Sequence, residues 1–302
     1  MIKTMISGRM GNQFFRYAFT RYILEKRKNV DSLVFDYYWV EKQNFEDVLH
    51  FFNIVNFIRT NKNMFFLMRG QQMFWYIKSF IKRKWCTFIN KPYVFDKKKK
   101  KKGLLISYDG TCQEEMPIPY KAKNIVICGN FENPKYFEEI KPILLKEFTP
   151  KFPPLEHNKK LYEIINNTNS VCVTIRRGDY LSTNNKNVYY LCDEAYFQKA
   201  IQLIATKVNN PVFIFFSDDI EWVKNNIKVK FEAYYERGDD PIWEKIRLMY
   251  SCKHFIISNS SFSWWAQYLS RNEQKVVVSP NRWYRKGCVT TLIDEKFLTI
   301  EV

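Results

Sequence analysis

Short apolar runs alternate along this chain with stretches whose apolar residues recur every three or four positions. Ile2, Met5 and Ile6 form the first run, and Gly8 and Gly11 permit a tight turn after it. Phe15, Ala18, Phe19, Tyr22 and Ile23 then follow at the spacing of one helix face, with Asn12 as a residue type suited to cap that helix. Residues 45–95 are rich in Phe, Trp, Met and Lys with weak periodicity and read as helices. Residues 104–107 and 125–128 read as short strands. Residues 134–146 read as a helix that Pro142 kinks or interrupts. The proline-rich stretch 148–154 breaks regular structure, which places a domain boundary between 1–150 and 151–302. Beyond it, strands at 171–175, 212–216, 255–258 and 276–279 alternate with helices at 194–207, 220–226, 241–251 and 264–269, Pro241 suiting a first helical turn. That alternation predicts an α/β fold with a parallel, doubly wound sheet.

Polar residues cluster where these strands end. Ser7 to Gln13, Arg176 to Tyr180, Ser217 to Asp219 and Asn259 to Trp265 each follow directly on an apolar run. Ligands of open α/β sheets bind beyond the carboxyl ends of the strands. The last three clusters therefore predict one site with two arginines, three acids and several hydroxyls, suited to a ligand carrying phosphates and sugar hydroxyls. A guanidinium fork matches phosphate oxygens in pairs. Arg176 and Arg177 are consecutive at a strand end and point opposite ways, so one enters the site and the other pairs with an acid such as Asp179. A plain surface charge cluster is the bland reading, which the apolar strand before the pair and the Gly178-Asp179-Tyr180 run after it weigh against. Asp218 and Asp219 either accept hydrogen bonds from ribose or a guanine edge, or cap a helix. Asn259, Ser260, Ser261 and Ser263 open a helix, as an anion cradle or as ordinary caps. Trp264 and Trp265 read as core. The Gly8–Gly11 turn matches neither a Walker loop nor a Gly-x-Gly-x-x-Gly pattern. The Lys97–Lys102 run reads as a solvated loop.

Composition narrows the class. Of 302 residues, 46% are hydrophobic and 18% aromatic, enough to build a core. The net charge of +17 favours anionic partners. It is compatible with nucleic acid, yet no RNP, zinc-finger or helix-turn-helix pattern is present, so no nucleic-acid partner is expected. Seven cysteines with no Cys-x-x-Cys pair and three scattered histidines argue against a zinc site or a disulfide framework. No Asp-x-Asp occurs, so the usual carboxylate signature for a metal-bridged diphosphate is missing and no metal is expected. With no signal peptide and no apolar span of about 18 residues, the expected location is cytoplasmic. The charge leaves open peripheral contact with an anionic membrane at its inner face.

Together these residues resemble glycosyltransferase family 11, the α-1,2-fucosyltransferases of bacteria and animals. Gly8-Arg9-Met10-Gly11-Asn12-Gln13-Phe14-Phe15-Arg16-Tyr17-Ala18 is similar to the family's amino-terminal Gly-Gly-Leu-Gly-Asn-Gln-Met-Phe-Gln-Tyr-Ala. Thr174 to Tyr180 matches His-x-Arg-Arg-Gly-Asp-Tyr except at the first position, and Phe216 to Asp219 matches Phe-Ser-Asp-Asp. Lys253-His254 and Asn259 to Trp265 match Lys-His and Asn-Ser-Ser-Phe-Ser-Trp-Trp, and Pro280 to Tyr284 matches a late Pro-x-x-Trp-Tyr/Phe pattern. Two departures stand out. Thr174 replaces the family histidine, and Gly129-Asn130-Phe131-Glu132-Asn133 stands where the family has Gly-Tyr-Phe-Gln-Ser.

The resemblance implies a GT-B-like architecture of two Rossmann-like domains, with the donor site in the carboxyl-terminal one. It implies GDP-fucose as donor and inverting transfer, without metal or other cofactor, to the 2-hydroxyl of a galactose-terminated glycan. Arg176 would contact the diphosphate, supported by Arg177. Asp218 or Asp219 would meet guanine or ribose, and Asn259, Ser260, Ser261 and Ser263 the diphosphate or fucose. Asp179 is the first candidate for the base and Glu132 the second; Gly11, Asn12, Gln13 and Glu132 belong to the acceptor side or an inter-domain loop. A transferase for another nucleotide sugar, a basic nucleic-acid-binding protein and a sugar-nucleotide sensor without catalysis are the alternatives.

Overall fold

A computed structural model describes residues 1–68, 70–88, 103–106, 122–178, 189–285 and 290–302. The chain divides into two units, Met1–His50 with Ile54–Glu147, and Phe51–Asn53 with Phe148–Val302.

The first unit is built on a parallel sheet. Its strands are β1 (Ile2–Met5), β2 (Leu33–Asp36), β3 (Ile58–Thr60), β4 (Leu104–Ile106) and β5 (Ile125–Cys128), in the order β3-β2-β1-β5-β4. Ile2 on β1 lies opposite Leu33 of β2 and Ile125 of β5. The helices are α1 (Met10–Lys26), α2 (Tyr38–Lys42), α3 (Met64–Leu67), α4 (Gln71–Phe88) and α5 (Lys141–Glu147). Helix α1 is sunk in the core, with Phe14, Phe15, Tyr17, Ala18 and Phe19 fully buried. Several of its inward polar groups are bonded within the unit. Thr20 shares a 2.7 Å hydrogen bond with Thr4 of β1. The Tyr17 hydroxyl and Arg21 Nε donate to the two oxygens of Glu147, at 2.6 and 2.8 Å, which ties α5 to α1.

Three expectations need correction here. The helix begins at Met10 with Arg9 as its N-cap, rather than being capped by Asn12. Gly8 turns the chain at φ +76, and a Cβ there would sit 2.6 Å from Asn12 Nδ2, so the turn completes three residues earlier than an Asn12 cap would place it. The 45–95 stretch contains a strand, β3, where only helices were expected. β3 is a half-exposed edge strand, so it carries no apolar run to read. The helix expected at 134–146 is two single 3₁₀ turns, Pro134–Tyr136 and Glu138–Ile140, followed by α5. Pro142 sits at the second residue of α5, where its missing N–H breaks no intrahelical bond.

The second unit carries β6 (Asn169–Ile175), β7 (Pro211–Ser217), β8 (Ala233–Tyr235), β9 (His254–Ile256), β10 (Val277–Pro280) and β11 (Leu298–Ile300). All pair in parallel in the order β11-β10-β9-β6-β7-β8. Counted within the unit, this is the 3-2-1-4-5-6 Rossmann arrangement, whose order reverses between β6 and β9. The edge strands β8 and β11 were not expected; three residues each and partly exposed, they leave too short a pattern. The helices are α6 (Lys159–Asn167), α7 (Glu194–Ala205), α8 (Ile220–Asn226), α9 (Ile242–Ser251) and α10 (Ser261–Leu269). α6 was not expected either. On α7, Phe197, Ile201 and Ile204 pack into the core with Val171, Val173, Phe213 and Phe215 of the central strands.

His254 opens β9 and accepts a hydrogen bond at Nδ1 from the backbone N–H of Val276, 3.1 Å away, which locks the start of β10. Burial, with Lys253 beside it, holds its pKa below the ordinary 6.5. The folded state therefore takes up its proton less readily than the unfolded chain. The stability contributed by neutral His254 is complete above about pH 6.5 and is lost as pH falls through the lower folded value. His254→Asn keeps an acceptor without the titration. Urea unfolding should show a smaller loss of stability between about pH 7 and pH 5 for this variant than for the parent. Identical pH profiles would contradict this role.

Candidate functional site

The carboxyl edge of the second sheet gathers three of the polar clusters. β6 ends at Ile175 and runs directly into Arg176, Arg177 and Gly178; β7 ends at Ser217, one residue before Asp218. Asp218 organises the loop after β6. Its Oδ1 accepts from the backbone N–H of Arg177 at 2.9 Å and its Oδ2 from that of Gly178 at 3.1 Å. The same Oδ2 lies 2.8 Å from Arg176 Nη1. A Cβ at Gly178 would come within 2.7 Å of that oxygen, so only glycine permits this grip. Arg176 is one-quarter exposed, held at the rim rather than in the interior.

Arg177 turns elsewhere. Its guanidinium carbon lies 3.5 Å from the centre of the Trp222 ring, and Nε stands 3.7 Å from Asp219 Oδ2. Asp219 is the N-cap of α8 and accepts from Trp222 N at 3.2 Å. Both arginines thus meet an aspartate from the β7 loop, whereas the sequence suggested one arginine pairing with Asp179. Asp179 and Tyr180 lie outside the described residues, as do Ser107, Cys112, Cys288 and the Lys97–Lys102 run. Trp222 was missed; its signal is its position in the first turn of the helix that Asp219 caps.

The third cluster follows β9. Asn259 is buried, and its Nδ2 donates to the carbonyls of Tyr190, at 2.7 Å, and Trp283, at 2.9 Å. Its Oδ1 accepts a weak bond from the Cys192 thiol at 3.6 Å, whose pKa burial pushes up to about 12. One amide therefore joins the loops that follow β6, β9 and β10. Ser260 caps α10 through its backbone, with no side-chain bond to the helix. The Ser263 hydroxyl is buried against Ser258 Oγ at 3.1 Å. Ser261 is half-buried in the first turn, where helix geometry directs N–H groups outward. Trp264 and Trp265 are core, packed edge-on to each other, with Tyr268 against both and Phe148 against Trp265. Thr174, at the position of the family histidine, is buried on β6. Its hydroxyl lies 3.4 Å from both Ile256 O and Ser258 N, bonding to the β9 segment. Two further cations missed from sequence, Arg282 and Arg285, stack on Tyr190 at 4.4 and 5.0 Å.

Gly11, Asn12, Gln13 and Glu132 lie in the first unit, at the carboxyl edge of its own sheet. Gln13 is fully buried. Its Nε2 donates to the carbonyls of Gly8 and Glu46 at 2.9 and 2.7 Å, and its Oε1 accepts from Val48 N at 3.1 Å. Gly11 is buried and Asn12 half-buried under Gly8. Arg16, also buried, donates to Met5 O at 2.8 Å and Asn130 Oδ1 at 2.6 Å, bridging the ends of β1 and β5, where this sheet reverses its strand order. Glu132 is half-buried and follows Phe131, which adopts φ +54 while stacking on Phe19 at 3.9 Å. Among the described residues, no group of three or more His, Cys, Asp or Glu side chains is placed to hold a metal ion.

Two doubly wound parallel sheets, the second with arginines and hydroxyls at its switch point, define a GT-B-like α/β protein. A solved NodZ α-1,6-fucosyltransferase soaked with GDP-fucose shares this fold, with a TM-score of 0.50 at 12% identity over 89% of this chain and 91% of that one. The chain belongs to glycosyltransferase family 11, whose family model matches residues 1–290. An α-1,2-colitosyltransferase of Escherichia coli is 36% identical over 187 residues, 59% of this chain and 63% of that one. The O-antigen biosynthesis glycosyltransferase WbnK of Escherichia coli is 35% identical over 124 residues, 40% of this chain and 41% of that one. The human galactoside α-(1,2)-fucosyltransferase 1 is 29% identical over 134 residues, 43% of this chain and 34% of that one. The chain thus spans less than two thirds of the length of each of these relatives.

Asn259→Ala would take the side-chain donor from the Tyr190 carbonyl, while the Trp283 carbonyl would keep the backbone N–H of Tyr190 at 3.2 Å. Each buried group left unsatisfied costs about 1–3 kcal/mol. The expected result is a loss of about 1–3 kcal/mol of unfolding free energy in urea, on the same basis. Unchanged stability would show that Asn259 does not clamp these loops.

Proposed function

We propose that the protein transfers L-fucose from GDP-fucose to the 2-hydroxyl of a terminal galactose, with inversion and without metal. The observation that carries this is family membership over residues 1–290, joined to the ion-paired Arg176 and the α10 N-terminus at one switch point. Relatives named as galactoside 2-α-L-fucosyltransferases support the linkage and the acceptor sugar. The donor's guanosine diphosphate occupies the carboxyl edge of the second sheet, and Asn12 and Glu132 of the first unit are assigned to the acceptor.

In this scheme the bond between the fucose anomeric carbon and the β-phosphate oxygen breaks as the acceptor oxygen attacks from the opposite face. Its electron pair leaves with GDP, and the sugar passes through an oxocarbenium-like state. Arg176, oriented by Asp218, and the outward N–H groups of α10 stabilise the growing negative charge. The half-buried Ser261 hydroxyl adds a donor. The acceptor proton goes to a carboxylate, Asp179 first and Glu132 second. Arg177 already has Asp219 and Trp222 as partners, which supports assigning Asp179 to the acceptor.

A colitosyl donor in place of the fucosyl one is the second reading, favoured by the relative named for that sugar.

GDP release from GDP-fucose, with and without lactose and in the presence of EDTA, tests the proposal. Release stimulated by lactose and undiminished by EDTA is expected. Arg176→Ala should lower turnover by about 10²–10³-fold, the usual cost of losing a preorganised donor to a developing oxyanion. Near-parental turnover in that variant would remove Arg176 from the chemistry. Faster turnover with the colitosyl donor than with GDP-fucose would transfer the assignment to the second reading.

A further inference from the structure

Helix α4 carries apolar side chains on its outer side as well as on the side that faces the core. Gln72 and Ser79 are buried, and Gln72 Nε2 donates to Asn124 O at 3.1 Å. Met73, Trp75 and Tyr76 pack against the cluster of Met64, Leu104 and Val126. The outer side displays Phe74 at 61% exposure, Ile77, Ile81 at 62%, and Trp85. Their spacing of three, four and four residues makes one continuous stripe. Phe80 stands beside it, and Phe66 of α3 is 78% exposed. α3 is held next to α4 by the Phe65–Tyr76 edge contact at 5.6 Å.

Cations border the stripe. At 3.6 residues per turn, Lys78 and Lys82 lie along one side of it and Lys84 along the other. Lys78 Nζ lies 5.2 Å from the Trp75 ring and Lys84 Nζ 5.1 Å from the Phe80 ring, so ammonium heads and aromatic faces share one level. α4 contains no acidic residue. An apolar stripe with aromatic side chains and lysine borders matches a helix lying in the plane of a membrane interface.

We propose that this face of α3 and α4 docks on an anionic lipid surface. Phe66, Phe74, Ile77 and Ile81 enter the boundary between headgroups and acyl chains, and Lys78, Lys82 and Lys84 meet lipid phosphates. Charge selects this occupant over a second copy of the chain. A two-fold interface sets the same patch against itself, which would gather these lysines with no acid on α4 to offset them. The whole chain's charge of +17 adds long-range attraction to the same surface. The proposal is independent of which sugar nucleotide is the donor.

Co-sedimentation of the full chain with vesicles tests it. The protein should pellet with phosphatidylcholine vesicles containing about a quarter phosphatidylglycerol, and stay in solution with phosphatidylcholine alone. Tryptophan emission should shift to the blue on addition of the anionic vesicles. Ile77→Ser/Ile81→Ser should weaken partitioning at least about tenfold, since burial of those side chains drives insertion. Lys78→Glu/Lys82→Glu should weaken it by at least about tenfold through charge alone. Thermal unfolding at the parental temperature shows that the variants are folded, and the two act through different chemistry. Equal partitioning of the parent and both folded variants would overturn the proposal. So would self-association in sedimentation velocity that Ile77→Ser/Ile81→Ser abolishes, which would assign the face to a second copy.

Discussion

Backbone carbonyls of the loops that leave a parallel sheet must find donors, and in each unit one buried side-chain amide supplies two of them. Asn259 donates to Tyr190 O and Trp283 O in the second unit; Gln13 donates to Gly8 O and Glu46 O in the first. Each amide sits beside a helix start, at the edge where loops leave the sheet. Asn259 ties the loop after β9 to those after β6 and β10, which also pair through the Tyr189–Tyr284 bridge, and Gln13 ties the turn before α1 to the Glu46–Val48 segment. Asp218 does the equivalent work with a carboxylate, gripping two N–H groups and Arg176 together. The rim of the second sheet depends on Asn259 and Asp218, and the matching edge of the first on Gln13.

That constraint divides the polar motifs into two jobs. Asn259, Gln13, Ser263, Asp219 and Thr174 spend their polar atoms on neighbouring chain. Arg176 and Ser261 stand at the rim, one-quarter exposed and half-buried, where a diphosphate would meet them. Arg177 is intermediate, flattened on Trp222 with Asp219 beside it. A basic, preorganised rim over a Rossmann switch point suits a leaving group whose charge grows during reaction. Lysines also border the exposed apolar stripe of α4, so the chain's positive charge is not confined to this rim.

Much of this was legible in the amino-acid pattern. β5, β6, β7, α7 and α8 were readable because they are buried apolar runs or clean amphipathic helices. Clusters following β6, β7 and β9 were readable because strand ends place polar residues together. β3, β8 and β11 were not, since three-residue edge strands with exposed side chains leave no run. The α1 start was misplaced by three residues because Gly8, at positive φ, turns the chain ahead of Asn12. The motif also hid its own division of labour. A polar side chain in a motif reads alike whether it faces a ligand or a carbonyl, and only the fold shows that the Tyr190 and Trp283 carbonyls converge on Asn259. Trp222 under Arg177 was invisible for the same reason, as the pairing depends on the β6 loop lying over α8.

The central claim is that the switch point of the second sheet is a diphosphate site centred on Arg176. Calorimetric titration of GDP against GMP tests it most directly. The account predicts that GDP binds at least about tenfold more tightly than GMP, from charge-assisted bonds to the second phosphate. It also predicts that Arg176→Ala removes most of that difference while leaving GMP affinity close to the parent's. Equal affinity for GDP and GMP in the parent protein would contradict it.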